Sequence, residues 1–235
     1  MKRLNTIIIL LTLSLIACKN EPGLQENPKV KTSNTASTVN SSNLKEVITS
    51  AYAVKDSLGQ IVKDTIRMTQ SITYNSAGQE YSNIYYSLDG KKQWEDIYTY
   101  NADGHKNGSK YYEGGRHMIT YKYELDAQGR RIAYEAFEPV SVVPLYKGYS
   151  KYNEDGTIRK DGGLTKGGTI QWNYEYLFDT QGEELGYVLI DPKSGIRYAS
   201  SYRVLKRNKS GEWIERAIVE NNTIQAIETR TFIYN

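Results

Sequence analysis

A five-residue pattern recurs along this chain at nearly constant spacing, and it restricts the fold more than any other feature. An aromatic residue is followed by Asn or Asp, two small or polar residues, and Gly. Tyr100-Asn101-Ala102-Asp103-Gly104 shows it, and Tyr74-Asn75-Ser76-Ala77-Gly78, Tyr152-Asn153-Glu154-Asp155-Gly156 and Phe178-Asp179-Thr180-Gln181-Gly182 repeat it. Leu125-Asp126-Ala127-Gln128-Gly129 is a further copy; Lys55-Asp56-Ser57-Leu58-Gly59 and Arg207-Asn208-Lys209-Ser210-Gly211 are weaker ones. The glycines at 59, 78, 104, 129, 156, 182 and 211 are separated by steps of 19, 26, 25, 27, 26 and 29. A period near 26 residues signals a repeat architecture in which every unit is one supersecondary element.

The segments between these glycines alternate with a period of two. Ile170, Trp172, Tyr174, Tyr176 and Phe178 fall on one face, and Gln171, Asn173 and Glu175 on the other. Ile119, Tyr121, Tyr123 and Leu125 share a face, as do Tyr198, Ser200, Tyr202 and Val204. This alternation, rich in Tyr, Ile, Trp and Val, predicts half-buried strands. The Asx-to-Gly spacing suits tight reversals: the Asx side chain can bond its own backbone, and Gly accepts a positive φ. A second reversal is expected midway in most repeats, at Asp89-Gly90, Gly114-Gly115, Pro139–Pro144, Gly162-Gly163, Lys193-Ser194-Gly195 and Asn221-Asn222. Strands joined by short turns are antiparallel. The expected fold is therefore all-β, an antiparallel up-and-down meander of about 14 strands forming a curved open sheet or partial barrel. Phe232-Ile233-Tyr234-Asn235 reads as a closing strand or as a truncated repeat, and Leu44–Ser50 as one short helical turn.

The N-terminal region has a different character. Lys2 and Arg3 precede an apolar run from Ile7 to Ile16, the arrangement of a secretory signal spanning 1–17. That run is too short for a stable bilayer-spanning helix. Leu15-Ile16-Ala17-Cys18 resembles a lipobox, the cleavage and acylation signal of bacterial lipoproteins. Cys18 is the only cysteine, so it has no internal disulfide partner. The resemblance implies lipidation (palmitate among the acyl chains) at Cys18 and anchoring to a membrane, and Lys19 rather than Asp after it implies passage to the outer membrane. Several acyl chains on one residue suffice for stable attachment. Residues 18–45, with Pro22, Pro28 and a Ser/Thr/Asn run, read as a disordered tether, leaving 46–235 as the repeat domain. Loss of Lys2 and Arg3 lowers the formal charge from +3 to +1, no basic footprint for nucleic acid.

The repeated motif resembles the YD repeats of RHS-type proteins, best at Tyr100–Gly104 and at Leu125-Asp126-Ala127-Gln128-Gly129-Arg130-Arg131-Ile132. The resemblance spans roughly 55–235 and implies a hairpin array. Two departures stand out: Asn often replaces Asp, and the array is short. Large RHS proteins wrap many repeats into a shell around a toxin domain. About 14 strands at roughly 4.8 Å make a sheet only some 65 Å wide, too little to enclose a folded cargo.

Catalytic constellations are sparse. His105 and His117 are the only histidines and form neither HxH nor HExxH, so no metal site is expected. No GxSxG elbow and no phosphate loop occur. Glu95-Asp96 and Glu183-Glu184 are adjacent acids read as solvated beside turns. No catalytic residue and no cofactor are assigned. The conspicuous resource is tyrosine, 21 residues, together with three tryptophans. Tyr forms strands well and can cover a sheet face while its hydroxyl reaches water. The functional reading is an aromatic face centred on Trp172, Tyr174 and Tyr176 that stacks on a glycan or grips a protein. Asp56-Ser57-Leu58 and Asp64-Thr65-Ile66 resemble an O-glycosylation pattern of Gram-negative envelope proteins, placing modification on Ser57 and Thr65. The expectation is a non-enzymatic, lipid-anchored envelope protein that binds a glycan or a protein; the alternative is an immunity-type lipoprotein that neutralises a secreted toxin.

Overall fold

The computed structural model describes residues 43–165 and 167–235. The signal segment, Cys18 and nearly all of the tether lie outside the described residues. Fourteen strands follow one another: β1 (Leu44–Ser57), β2 (Gln60–Tyr74), β3 (Glu80–Tyr86), β4 (Lys92–Tyr100), β5 (Lys106–Glu113), β6 (Arg116–Leu125) and β7 (Arg131–Phe137). Then come β8 (Tyr146–Tyr152), β9 (Ile158–Leu164), β10 (Ile170–Phe178), β11 (Glu184–Ile190), β12 (Arg197–Arg207), β13 (Trp213–Glu220) and β14 (Thr223–Tyr234). Each pairs antiparallel with its chain neighbours, and β14 pairs with β1.

That last pairing corrects the open-sheet expectation: the meander closes into a barrel. Val47 stands opposite Phe232, Thr49 opposite Arg230 and Ala51 opposite Glu228, so the C-terminal strand is the closing one. Closure removes both free edges and satisfies their backbone groups. Leu44–Ser50, expected as a helical turn, is the first half of β1, because Val47, Thr49 and Ala51 alternate onto the buried side.

The motif turns form as the spacing requires. Asn101 Oδ1 accepts the N–H groups of Asp103 (3.1 Å) and His105 (2.8 Å), while the Gly104 N–H donates to the Asn101 carbonyl (3.1 Å). Asp126 does the same with Gln128 (3.0 Å) and Arg130 (2.8 Å), and Gly129 takes a φ of 76°. Only one side-chain oxygen receives both backbone donors, so Asn and Asp serve equally. Asn and Asp are therefore interchangeable at the second position of the motif.

Two details of the repeat reading are corrected. Gly59 closes the β1–β2 turn, whereas Gly78 closes β2–β3, so these two turns lie at opposite rims. The 19-residue step is therefore a single long strand, β2, and the other motif turns share the rim of Gly78. Gly162-Gly163, expected as a turn, lies inside β9; the reversal runs through Thr165–Thr169. Gly162 faces Tyr149 and Gly163 faces Trp172 across the ladder. A Cβ at Gly163 would stand 2.3 Å from the Trp172 ring, and one at Gly162 would stand 2.4 Å from the Tyr149 ring. The glycines make room for aromatics laid over their backbone.

The rims differ in chemistry. The motif rim is built from Asn, Asp, Ser and Gly. The opposite rim carries Leu58, Leu88, Val140 and Val142 on its turns, all largely exposed.

Candidate functional site: the barrel lumen

Fourteen strands at about 4.7 Å spacing, tilted roughly 40°, enclose a ring about 27 Å across between backbones. Short aliphatic side chains cannot fill such a ring. Tyr and Arg reach farther, and the inward positions are dominated by them. Parity sorts the faces: Tyr98, Ser109, Tyr121, Tyr134 and Tyr146 are connected inward by register, and the residues between them point out. The outward set includes Lys122, Glu135 and Lys147 in adjacent register, then Lys160 and Glu175. Glu175 meets Lys160 at 2.9 Å and Arg197 at 2.5 Å, and Lys147 meets Glu135 at 2.5 Å.

Two arcs of the lumen behave differently. Along β12–β14 it is filled. Arg216 Nε donates to Glu228 at 2.6 Å, both nearly inaccessible. The Arg216 guanidinium lies 3.6 Å over Tyr202 and 4.2 Å over Trp213, and Arg230 covers Trp213 at 3.8 Å. Burial, and then the neighbouring Arg216 charge, pull the Arg230 guanidinium down to about 10. An aromatic chain continues round the wall, Tyr202 to Tyr187 (6.4 Å), then Tyr176 (6.4 Å) and Tyr174, which stack at 5.9 Å.

Between β4 and β10 the lumen opens into a cavity of about 580 Å³. Asp96, Tyr98, Lys106, Tyr121, Tyr123 and Arg131 line it from β4 to β7; Tyr134, Tyr146, Tyr152, Arg159 and Trp172 continue the lining. Tyr121, Tyr134 and Tyr146 meet edge to face at 5.9 to 6.4 Å, and the Tyr121 and Tyr146 hydroxyls bond at 2.8 Å. Burial raises the Tyr121 and Tyr134 phenols far above their ordinary value, so both stay neutral donors. Lys106 lies 3.7 Å over the Tyr98 ring and bonds Glu80 at 2.6 Å. Burial pushes the Asp96 carboxyl up to about 6, aided by Glu95 and opposed by Ser109 and Lys106. Arg131 Nη2 donates to Asp161 at 3.1 Å and its Nε to Ser150 at 3.1 Å. The cavity reaches the motif rim at Gly129 and Tyr152.

Of the aromatic trio expected from sequence, Trp172 lines the cavity, whereas Tyr174 and Tyr176 pack into the wall beside it. All three point inward, not onto an exposed face. Sequence reading missed Asp96, Arg131, Arg159 and Asp161. Asp96, placed with Glu95 as a solvated pair, faces the lumen while Glu95 faces outward to Lys92 (2.7 Å). Glu184 likewise is burial-raised and inward. The available signal was parity: Arg159 and Asp161 fall in register with Tyr176 and Tyr174, on the aromatic face of β10. Ser57 and Thr65 sit exposed on β1 and β2. His105 lies at a motif turn against Gly129, and His117 Nε2 lies 3.1 Å from Thr120 Oγ1. Among the described residues no three His, Cys, Asp or Glu side chains cluster at metal-binding range.

No protein-family model matches the chain, and no curated protein sequence does. Among solved structures, a porin-like protein from Bacteroides uniformis is 10% identical with a TM-score of 0.45, covering 82% of this chain and 96% of its own. The Photorhabdus luminescens Tc holotoxin pore, in a TccC3 variant, is 14% identical with a TM-score of 0.29 over 73% of this chain and 12% of its own. A TcdB2-TccC3-TEV structure gives 15% and 0.29 over the same shares of 73% and 12%. Likenesses at this level extend no function to this chain.

Proposed function

We propose that this protein is a lipid-anchored cell-envelope protein that binds a glycan inside its barrel without turning it over. The observation that carries the reading is the cavity itself. Its volume lies within the range of ligand sites, about 300–1,000 Å³. Its wall alternates ring faces with hydroxyls, a carboxyl and guanidinium groups. A sugar presents the matching combination, C–H faces for stacking and hydroxyls for hydrogen bonding. The polar motif rim, which the cavity reaches, is the entrance suited to a hydrated sugar.

Attachment through Cys18 at the outer membrane is part of this proposal, and the barrel exterior supports it. β3, β7, β8, β9 and β11 have seven residues each. Seven residues at about 3.4 Å, tilted roughly 40°, rise about 18 Å, short of the ~25 Å apolar band of a membrane barrel. Lys122, Glu135, Lys147, Lys160 and Glu175 stand outward along the strands. On a lipid-facing surface a Lys costs up to about 2–4 kcal/mol at the midplane and less toward the interfaces, and a carboxylate costs less. The short strands and outward charges favour a barrel in water, with the acyl chains on Cys18 as its attachment. Ser57 and Thr65 are accessible for O-glycosylation on that water-facing surface.

Binding of neutral and acidic oligosaccharides to the full chain in detergent, followed by tryptophan fluorescence and calorimetry, tests the reading. Saturable binding lost in Trp172→Ala is expected. Absence of binding to every oligosaccharide offered, or release of cleaved product, counts against it.

A further inference from the structure

Charge is unevenly matched inside the cavity. Arg131 and Arg159 both line it, and both turn to one carboxylate oxygen, Asp161 Oδ2, at 3.1 and 3.2 Å. Arg131 is held in place: its second donor goes to Ser150, and its guanidinium lies 5.4 Å from both the Tyr123 and Tyr134 rings. Arg159 is not. Its contact with Asp161 is not aligned as a hydrogen bond, and among the described residues its buried Nε has no hydrogen-bond partner. It rests 4.4 Å over Tyr176 and 5.5 Å over Phe178. Asp161, only 4% exposed, is shared by the two guanidinium groups through Oδ2, its Oδ1 takes no hydrogen bond among the described residues, and Glu184 acts on Arg159 only beyond ion-pair range. The other lining cation, Lys106, is satisfied by Glu80, and the other lining acid, Asp96, sits with Lys106 across the tyrosine cluster.

A guanidinium facing an open cavity with unused planar donors is a receptor for a carboxylate, which it binds through two parallel N–H···O bonds. We propose that the lumen site selects acidic glycans, with the carboxylate of a uronate-type sugar seated on Arg159 and flanked by Arg131. Tyr121, Tyr134, Tyr146 and Trp172 then provide the ring faces for the sugar that carries it. This rests on the glycan reading above, and sharpens it from glycans in general to those with a carboxylate.

The test compares two disaccharides that differ only at C6, carboxylate against hydroxymethyl, α-1,4-digalacturonate and α-1,4-galactobiose, on the full chain in detergent at pH 7.5. The acidic sugar should bind at least tenfold more tightly. In Arg159→Gln the ratio of the two affinities should fall to within about twofold. Raising NaCl from 50 to 500 mM on the unmodified chain should weaken the acidic ligand several-fold and leave the neutral one unmoved; this arm does not depend on the variant folding. Equal affinity for the two sugars, or a preference that neither salt nor Arg159→Gln reduces, overturns the acidic selectivity while leaving the glycan reading intact. Failure of both sugars to bind at millimolar concentration overturns the glycan reading and the selectivity with it.

Discussion

Replacing Glu228 with Gln should destabilise the barrel far more than a surface substitution would. Glu228 carries the carboxylate that faces Arg216 at 2.6 Å, with side-chain exposures of 10% and 11%. At that exposure, solvent screening does little to discount the interaction. Arg230 lies close by, also over the Trp213 ring, and among the described residues its Nε has no hydrogen-bond partner. Without the carboxylate, two guanidinium groups share a buried site with no ion-pair partner, and Glu184 and Glu212 act on them only at longer range. Breaking a buried pair by removing one partner costs about 3–5 kcal/mol. The Gln oxygen can still accept from Arg216, recovering about 1 kcal/mol. The net loss is therefore about 2–4 kcal/mol. For a barrel of this size each kcal/mol moves the melting midpoint by about 2–4 °C, so a fall of roughly 5–15 °C is expected. Thermal melts by circular dichroism at pH 7 measure it. A paired replacement, Arg216→Met with Glu228→Leu, should recover part of the loss, since neither charge of the pair then remains and only Arg230 is left without its neighbouring carboxylate. A Glu228→Gln midpoint within 2 °C of the unmodified protein would mean that the pair is solvated and contributes little.

Other outcomes follow from the same structure. Asp96 ionises near 3.8 when unfolded and near 6 in the barrel, so between those values the folded state holds a proton that the unfolded state has released. Its raised value therefore lowers stability as pH climbs through 4 to 6, by up to about 3 kcal/mol at neutral pH. Asp96→Asn should melt higher than the unmodified protein at pH 7.5 and no higher at pH 4; a gap that is constant with pH would dissociate Asp96 from the effect. Asn101→Ala strips the acceptor from two backbone donors and should cost about 1–2 kcal/mol in urea unfolding, whereas Asn101→Asp should cost under about 0.5. Gly163→Ala should cost about 1–3 kcal/mol and shift tryptophan emission, because the new methyl displaces the Trp172 ring; unchanged emission would mean the ring does not lie over Gly163.

The pattern of what sequence reveals follows the range of the interactions involved. The turn at Asn101–Gly104 is settled within five residues, by one oxygen and two amides, so it is legible without a structure. Strand parity at Trp172, Tyr174 and Tyr176 is equally local, and it places all three on one face. Which face is inside depends on closure, and closure depends on curvature summed over every ladder until Phe232 meets Val47. That sum is not written in any segment. Gly162-Gly163 looks like a turn because a turn and an aromatic-covered strand both want glycine; the aromatics that decide between them, Tyr149 and Trp172, stand on neighbouring strands. The charged lumen was hidden for the same reason. Arg131 reaches Asp161 across thirty residues of sequence, and Arg216 reaches Glu228 across a hairpin. Leu44–Ser50 could be read as helical in isolation, yet as β1 it forms the seam with β14.

Everything described for the lumen depends on the seam between the first and last strands, because without it there is no enclosed space. Ser50 and Thr229 are direct partners there. Spin labels on Ser50→Cys and Thr229→Cys, with Cys18 replaced by Ser, should report a separation under about 20 Å, allowing for label length on partners about 5 Å apart. A distribution centred beyond about 40 Å, as for the two edges of an open fourteen-strand sheet at about 4.8 Å per strand, would contradict it.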